Sequence, residues 1–271
     1  MISQPISLDR VELVAISSIQ FLPTLRAIEK SMTQAHFSDV KFFTHARNVS
    51  LPKEIKHISI NRLHSSEQYS YFILKKLADF IEADFALIVQ WDGYVLDGTA
   101  WSDGFLAYDY VGSRWPHFAD SHVVGNGGFS LRSRRLLTAC QSPKITLSGA
   151  EDLTICRTHR QLLEEEFGVR FAPPSIADAF AFERVTPARQ TFGFHGIFNM
   201  IDVEGVAEFA HIYDQVDWEM IGDREIRDCL MRLLRKAPLH DPMLAIRLLR
   251  DWISARNIKK HAPPWLRLRG R

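Results

Sequence analysis

Apolar residues recur along the chain with two different periods, which predict alternating strands and helices. Short apolar runs at residues 11–16, 40–44 and 57–60 are typical of strands. Two longer segments carry an apolar residue at every third or fourth position, which predicts helices at 23–35 and 65–83. The resulting β-α-β-β-α-β order favours a mostly parallel sheet that is covered by helices.

The stretch at residues 85–96 is the most informative part of the chain. Its first five residues are apolar, as expected for a strand that is buried on both faces. Gln90-Trp91-Asp92-Gly93 follows at once. A carboxylate at this end of a parallel strand lies where open α/β sheets bind ligands. Asp-Gly pairs also form simple turns, so the residues alone leave turn and site open.

Small polar residues and glycines mark two further candidate binding segments. Ser17 and Ser18 end the first predicted strand and could bind a nucleotide or sugar, or simply begin a helix. Further along, Gly125-Asn126-Gly127-Gly128 would let the backbone approach a bulky ligand and adopt positive φ. The glycine spacing matches neither a dinucleotide fingerprint nor a P-loop, which disfavours dehydrogenases and nucleoside triphosphatases.

Two later segments supply candidate catalytic and ligating side chains. Ser148 and Glu151 fit a capping box in front of a predicted helix at 153–167, so Glu151 has a structural explanation. Asp152 is the better catalytic candidate, and the helix dipole should keep it ionised. His195 lies between glycines and aromatic residues, where it is either an imidazole ligand or a core histidine.

Composition excludes several classes of protein. The 271 residues include 33 basic and 32 acidic side chains, and a net charge of +1 gives no argument for nucleic-acid binding. Three widely spaced cysteines suggest neither a disulfide framework nor a zinc site, so a reducing cytoplasm is the expected location. We find neither a signal-type segment nor an apolar run that could cross a bilayer.

The C-terminal part differs from the rest in pattern and charge. Helical spacing dominates after residue 203, which predicts a first domain at 1–200 and a helical extension at 201–271. Between residues 247 and 271, eight basic residues face one acid, Asp251. This tail could contact anionic lipid at the inner face of the membrane or an acidic polymer, or it could be a solvated end.

The order of these landmarks resembles a largely uncharacterised family of predicted glycosyltransferases with a GT-A fold. The resemblance covers residues 11–195, and its most specific part is Gly-Asn-Gly-Gly-Phe-Ser-Leu-Arg. More distantly, the order is similar to that of the β-1,4-galactosyltransferases. The motifs that carry the resemblance are 90–93, 108–112, 124–132, 151–152 and 192–196.

The resemblance implies a Rossmann-like GT-A fold and a metal-dependent, inverting glycosyltransferase. Asp92 and His195 would hold Mn²⁺ or Mg²⁺, while Asp152, with Glu151, would serve the acceptor as catalytic base. Where those enzymes carry Asp-x-Asp, this chain has Gln90-Trp91-Asp92 and keeps a single carboxylate.

The implied substrates are a nucleotide sugar, with a UDP-sugar as the expectation, and a glycan or glycolipid acceptor. A non-catalytic module that binds nucleotide sugars or glycans is the alternative, suggested by the missing first aspartate. The residues expected to bind the nucleotide sugar are Ser17, Tyr69, Gln90, Trp91, Asp92, Asn126, Gly127 and Gly128.

Overall fold

The computed structural model describes residues 4–47, 49–236 and 241–261, with side chains up to residue 258. The chain forms two compact units, Met1–His195 and Gly196–Arg271. That the first unit is catalytic and the second is an extension of it stays a prediction.

A six-stranded mixed sheet organises the first unit. The six strands are β1 (Ile6–Ile16), β2 (Ala35–Thr44), β3 (Lys56–Ser59), β4 (Phe85–Val89), β5 (Tyr110–Val111) and β6 (Phe129–Ser133). The strand order is β3-β2-β1-β4-β6-β5, in which the first four strands are parallel and β6 runs antiparallel to both β4 and β5. This arrangement confirms the predicted α/β class with a mostly parallel mixed sheet.

Helices and a small second sheet complete this unit. β7 (Ala181–Phe182) pairs in parallel with β8 (Gly193–Phe194), and this pair leads the chain to His195. The predicted helix at 65–83 is wrong in its length, because α2 ends at Lys75 and a 3-10 turn follows. The helices are α1 (Phe21–Gln34), α2 (Ser66–Lys75), α3 (Arg134–Cys140), α4 (Glu151–Leu153), α5 (Arg160–Phe167) and α6 (Pro174–Phe180).

The topology brings several chain segments to one edge of the sheet. β1 and β4 are parallel, so Ser17 and Gln90 both follow carboxyl ends at the same edge. Val89 of β4 pairs with Phe129 of the antiparallel β6, which places Gly128 at that edge too. The edge is therefore the place where a ligand site is expected.

The second unit is helical. The helix Asp223–Lys236, α9, packs against α7 (Ile197–Val203) and α10 (Pro242–His261). Arg232 of α9 donates to Asn199 and Asp202 at 2.7 Å each. No helix in the described ranges is long and apolar enough to cross a membrane. Arg267, Arg269 and Arg271 of the basic tail lie outside the described residues. The helices are α7 (Ile197–Val203), α8 (Val206–Gln215), α9 (Asp223–Lys236) and α10 (Pro242–His261).

Candidate active site

The segment after β4 is a turn and a part of the candidate site at once. Gln90 and Gly93 exchange backbone hydrogen bonds of 3.1 and 3.0 Å, which closes the turn. Asp92 is nearly buried within it, at 9% exposure. The carboxylate of Asp92 lies 3.5 Å from Nε2 of His195, although 103 positions separate the two residues.

His195 is held between polar groups on both ring nitrogens. Nε2 lies 3.3 Å from Oε1 of Gln90 as well as 3.5 Å from Asp92, and Nδ1 lies 3.4 Å from Oε1 of Glu183. Burial disfavours the imidazolium, but the carboxylates of Asp92 and Glu183 outweigh it and raise the pKa of His195 to about 10. The ring is therefore oriented and protonated near neutral pH, so a cation that binds at Nε2 would have to displace the proton there.

Two adjacent glycines, Gly127 and Gly128, lie against Glu151 and His195, which occupy the space that a side chain at either position would otherwise fill. A Cβ on Gly128 would lie 2.0 Å from Nε2 of His195, and one on Gly127 would lie 1.9 Å from Oε1 of Glu151. Positive φ is adopted by Asn126 at 66°, whose side chain accepts from the Gly128 N–H, and not by either glycine. The segment thus contains a positive φ, at the asparagine, whereas Gly127 and Gly128 are required because their neighbours leave no room for a Cβ.

Asp152 lies against this loop with both carboxylate oxygens fixed. Oδ2 accepts from the N–H of Gly127 at 3.0 Å and Oδ1 from the N–H of Leu153 at 2.7 Å. Burial and the charge of Glu151 outweigh these hydrogen bonds and raise the pKa of Asp152 to about 6. α4 continues directly into a π-helical turn at Thr154–Thr158, so a helix N-terminus is present, but it does not keep the pKa of Asp152 low as predicted.

Glu151 has a different structural role from the one predicted. The residue before α4 is Ala150, which has no side-chain cap, so the predicted capping box of Ser148 and Glu151 is wrong. Glu151 instead accepts a 2.8 Å hydrogen bond from Nη2 of Arg132, and both side chains are buried. Burial requires the charges of Arg132 and Glu151 to be paired, and this ion pair takes the place of the predicted capping interaction of Glu151 with Ser148.

The other predicted binding residues lie at different distances from this centre. Nε2 of Gln90 donates to the hydroxyl of Tyr69 at 2.9 Å, which connects α2 to the turn. Trp91 is half-buried between Gln90 and Asp92. The hydroxyl of Ser17 accepts from the N–H of Gln20, so it serves the start of α1.

The donors around Nε2 of His195 suit a divalent cation that completes its shell with substrate oxygens. Two oxygens, from Asp92 and Gln90, lie beside one imidazole nitrogen. Glu183 on the opposite nitrogen has the position of the carboxylate that commonly orients a ligating histidine. Among the described residues, however, no group of three or more His, Cys, Asp and Glu side chains could hold a metal ion by itself.

A family model described as "Protein of unknown function (DUF5672)" matches residues 53–195, which is more than half of the chain. The chain belongs to this family. The matched region contains Asp92, the glycine loop, Asp152 and His195, so the whole candidate site except Ser17 is part of the family domain. No curated protein sequence matches the chain.

Two solved structures of the glycosyltransferase GlyE from Streptococcus pneumoniae TIGR4 are similar to the chain at 12% sequence identity. The apo form has a TM-score of 0.35 and aligns with 78% of this chain and 51% of its own. A second GlyE structure has a TM-score of 0.38 and aligns with 94% and 64%. The chain spans about half to two thirds of the length of these structures, and the similarity is too low to transfer a function.

A cavity of about 720 Å³ lies between the loop after β3 and one face of α2. Since β3 is parallel to β2 and β2 to β1, this loop emerges at the same edge as the site. The N–H of Leu63 donates to Ser18 at 2.9 Å, which holds the loop beside the end of β1. Tyr71 and Phe72 give the cavity aromatic walls, Arg62 and Lys76 add positive charge, and Glu67 adds a negative one. Asp92, Asp152 and His195 do not line this cavity.

Two residues of the site, Glu183 and Arg132, were not predicted from the sequence. Glu183 follows β7 and reaches His195 only because β7 and β8 pair in register, which the sequence does not indicate. Arg132 did carry a signal, since it is the one charged residue in the short strand Phe-Ser-Leu-Arg-Ser, all of whose residues are buried. Such a residue needs a buried partner of opposite charge.

Proposed function

We propose that this protein is a glycosyltransferase that moves a sugar from a nucleoside-diphosphate donor to a hydroxyl group of a glycan or glycolipid. The observation that supports it is the convergence of four separate segments at one edge of the sheet. These segments supply Asp92, the loop at Gly127 and Gly128, Asp152 and His195. A core histidine or a simple Asp-Gly turn would not require this convergence.

In this proposal Asp92, His195 and Gln90 hold the donor end of the site. They would bind Mn²⁺ or Mg²⁺, which when present neutralises the charge that develops on the departing diphosphate. Glu183 fixes the orientation of the imidazole through Nδ1. Imidazole together with carboxylate favours Mn²⁺ over Mg²⁺.

Asp152 would act on the acceptor. As the acceptor oxygen attacks the anomeric carbon, its proton passes to the Asp152 carboxylate, a step that typically contributes about 10²–10⁴ in rate. The N–H groups of Gly127 and Leu153 hold that carboxylate in one orientation. Burial brings the pKa of Asp152 to about 6, closer to neutral pH than an exposed aspartate. A single displacement of this kind inverts the anomeric centre.

The cavity beside α2 would take the nucleoside of the donor, for which uridine is the expectation. Aromatic walls suit a base, and Arg62 and Lys76 suit the adjoining phosphates. Gln90 and Tyr69 would lie between the cavity and the cation site. A cytoplasmic location is a further part of the proposal.

A second candidate is a module that binds nucleotide sugars or glycans without catalysis. The single carboxylate of Gln90-Trp91-Asp92 favours it, because most metal-binding motifs of this kind use two. Such a module would need Asp92 and the cavity, but not the carboxylate of Asp152.

The test is a screen of nucleotide sugars for Mn²⁺-dependent hydrolysis by the purified protein, with melting temperature as the binding signal. We expect Asp92→Ala to lose the rise in melting temperature given by Mn²⁺ with a nucleoside diphosphate. Asp152→Asn should keep that rise and lose turnover. Asp9→Asn, an exposed change in β1, is the control.

The outcomes separate the candidates. Binding that depends on Asp92, with no hydrolysis of any nucleotide sugar, would favour the module. Normal binding and turnover by the Asp92 variant would refute the site assignment itself.

A further inference from the structure

One face of α10 exposes a row of large apolar side chains. Met243, Ile246, Leu249 and Ile253 are 72%, 60%, 42% and 50% exposed. Their spacing of three, three and four residues places them along one side of the helix. At 3.6 residues per turn, Ile246, Leu249 and Ile253 fall within a sector of about 60°. We call these four residues the α10 stripe.

The opposite face of the same helix is already used for packing. Leu244 and Leu248 are buried at 5% and 0% exposure. Asp251 is fully buried, and one of its oxygens accepts from the hydroxyl of Tyr213 on α8 at 3.1 Å. The rotation of α10 is therefore fixed, and the α10 stripe cannot turn inward without breaking these contacts.

Two arginines flank the α10 stripe. Arg250 and Arg256 fall on opposite sides of the apolar sector and are both exposed, and Arg250 also pairs with Asp251 at 2.8 Å. Asp214 and Asp241 line a surface pocket together with Met243 and Ile246. Residues 242–271 contain eight basic residues and one acid, which gives +7. Since the whole chain carries +1, the remaining 241 residues carry −6. The positive charge is thus concentrated in the segment that also exposes the apolar face.

We propose that the α10 stripe docks this protein on the surface of an anionic lipid bilayer. A helix that lies in the interface inserts its apolar side and places flanking basic residues among the headgroups. This arrangement matches Ile246, Leu249 and Ile253 with Arg250 and Arg256 beside them. Anionic headgroups would also attract the net charge of +7 in residues 242–271, which contacts of the apolar residues alone would leave unneutralised.

Two other occupants of the α10 stripe fit the charges less well. Residues 262–271 carry three arginines and no acid, so their approach would bring like charges together. A second copy of the chain would oppose one +7 segment to another. An anionic membrane attracts both the stripe and its surroundings.

The test is flotation of the full-length protein with phosphatidylcholine vesicles, with and without phosphatidylglycerol. We expect binding only to the anionic vesicles, with a loss at high salt. The variant Ile246→Gln/Leu249→Gln/Ile253→Gln should bind at least about a hundredfold more weakly, because it removes the inserted apolar surface. Arg256→Gln should weaken binding about fivefold. Ile19→Gln/Leu22→Gln, which changes exposed residues of the first unit, is the matched control.

Several outcomes would overturn the proposal. These are a wild-type protein that ignores anionic vesicles, equal binding to both vesicle types, or a triple variant that binds like the wild type. A dimer seen by light scattering and dissociated by the triple variant would assign the stripe to a second copy. Vesicle binding that occurs only after deletion of residues 262–271 would assign it to the tail. Unchanged melting temperatures establish that the variants are folded.

Discussion

Replacing Gly128 by alanine would place a methyl group in steric conflict with the imidazole ring of His195. The new Cβ would lie 2.0 Å from Nε2 and 2.3 Å from Cδ2. Heavy atoms in contact are normally about 3.5 Å apart or more, so loop and ring must separate by about 1.5 Å. His195 has little room to retreat, since its N–H donates to the carbonyl of Phe182 at 2.9 Å and Nδ1 faces Glu183.

This displacement is large compared with the distances that define the site. Nε2 lies 3.3 Å from Gln90 and 3.5 Å from Asp92, and both arrangements would be lost. A misplacement of about 1 Å at a reacting centre can reduce the rate about 100-fold. Overpacking costs about 1–3 kcal/mol of stability, which a domain of this size can tolerate. We expect Gly128→Ala to be folded, to hydrolyse nucleotide sugar about 100-fold more slowly and to lose the Mn²⁺-dependent rise in melting temperature.

The neighbouring glycine supplies a matched variant that perturbs the other half of the site. A Cβ on Gly127 would meet Oε1 of Glu151 at 1.9 Å, on the side of Asp152. Gly127→Ala should therefore reduce turnover while Mn²⁺ still raises the melting temperature in the presence of a nucleoside diphosphate. Gly104→Ala, whose Cβ would meet only Ser102 Oγ at 3.2 Å, is the control. Equal loss of the Mn²⁺ effect in both loop variants, or its retention in Gly128→Ala, would refute this reasoning.

Two further predictions follow from the buried charges. At saturating Mn²⁺, kcat/KM should rise with pH up to about 6 and level off above it, because a general base must be ionised and the pKa of Asp152 is raised to about 6. A pH–rate series in which the wild type is flat between about pH 5 and pH 7 would contradict this role. Arg132→Met should cost about 3–5 kcal/mol in urea unfolding, since it leaves Glu151 buried without its cation. Arg132→Met/Glu151→Leu should regain most of that loss, and an equal loss in single and double variants would show that the pair is not the cause.

The hydrophobic pattern was sufficient to predict β1 to β4 and the order of the helices between them, because these elements are long enough to show their periods. The β-α-β-β-α-β order and the parallel pairing are confirmed by β1 to β4. Ser65, at the predicted start of the helix at 65–83, caps α2, since its hydroxyl accepts from the N–H of Gln68. Both signals are local, so a single sequence contains them.

Contacts between distant segments could not be predicted in the same way. The capping box at Ser148 and Glu151 is a local rule, and it fails because Arg132, 19 positions away, offers Glu151 a buried partner. The role of Glu183 depends on two strands of two residues each, which are too short to show a period. For Asp152, the fold removes water from the carboxylate, and this burial raises a pKa that the helix dipole was expected to hold down.

The glycine loop illustrates why the most specific motif was interpreted only in part. Glycines usually suggest unusual φ or a cradle for phosphate, yet the positive φ here belongs to Asn126. At Gly127 and Gly128 the space of the missing side chains is taken by Glu151 and His195. The two glycines thus have different partners, so one dipeptide sets how closely the loop approaches both Glu151 and His195. If the proposed roles of Asp152 and His195 hold, alanine at these adjacent positions should impair different steps, because each new methyl group displaces a different partner.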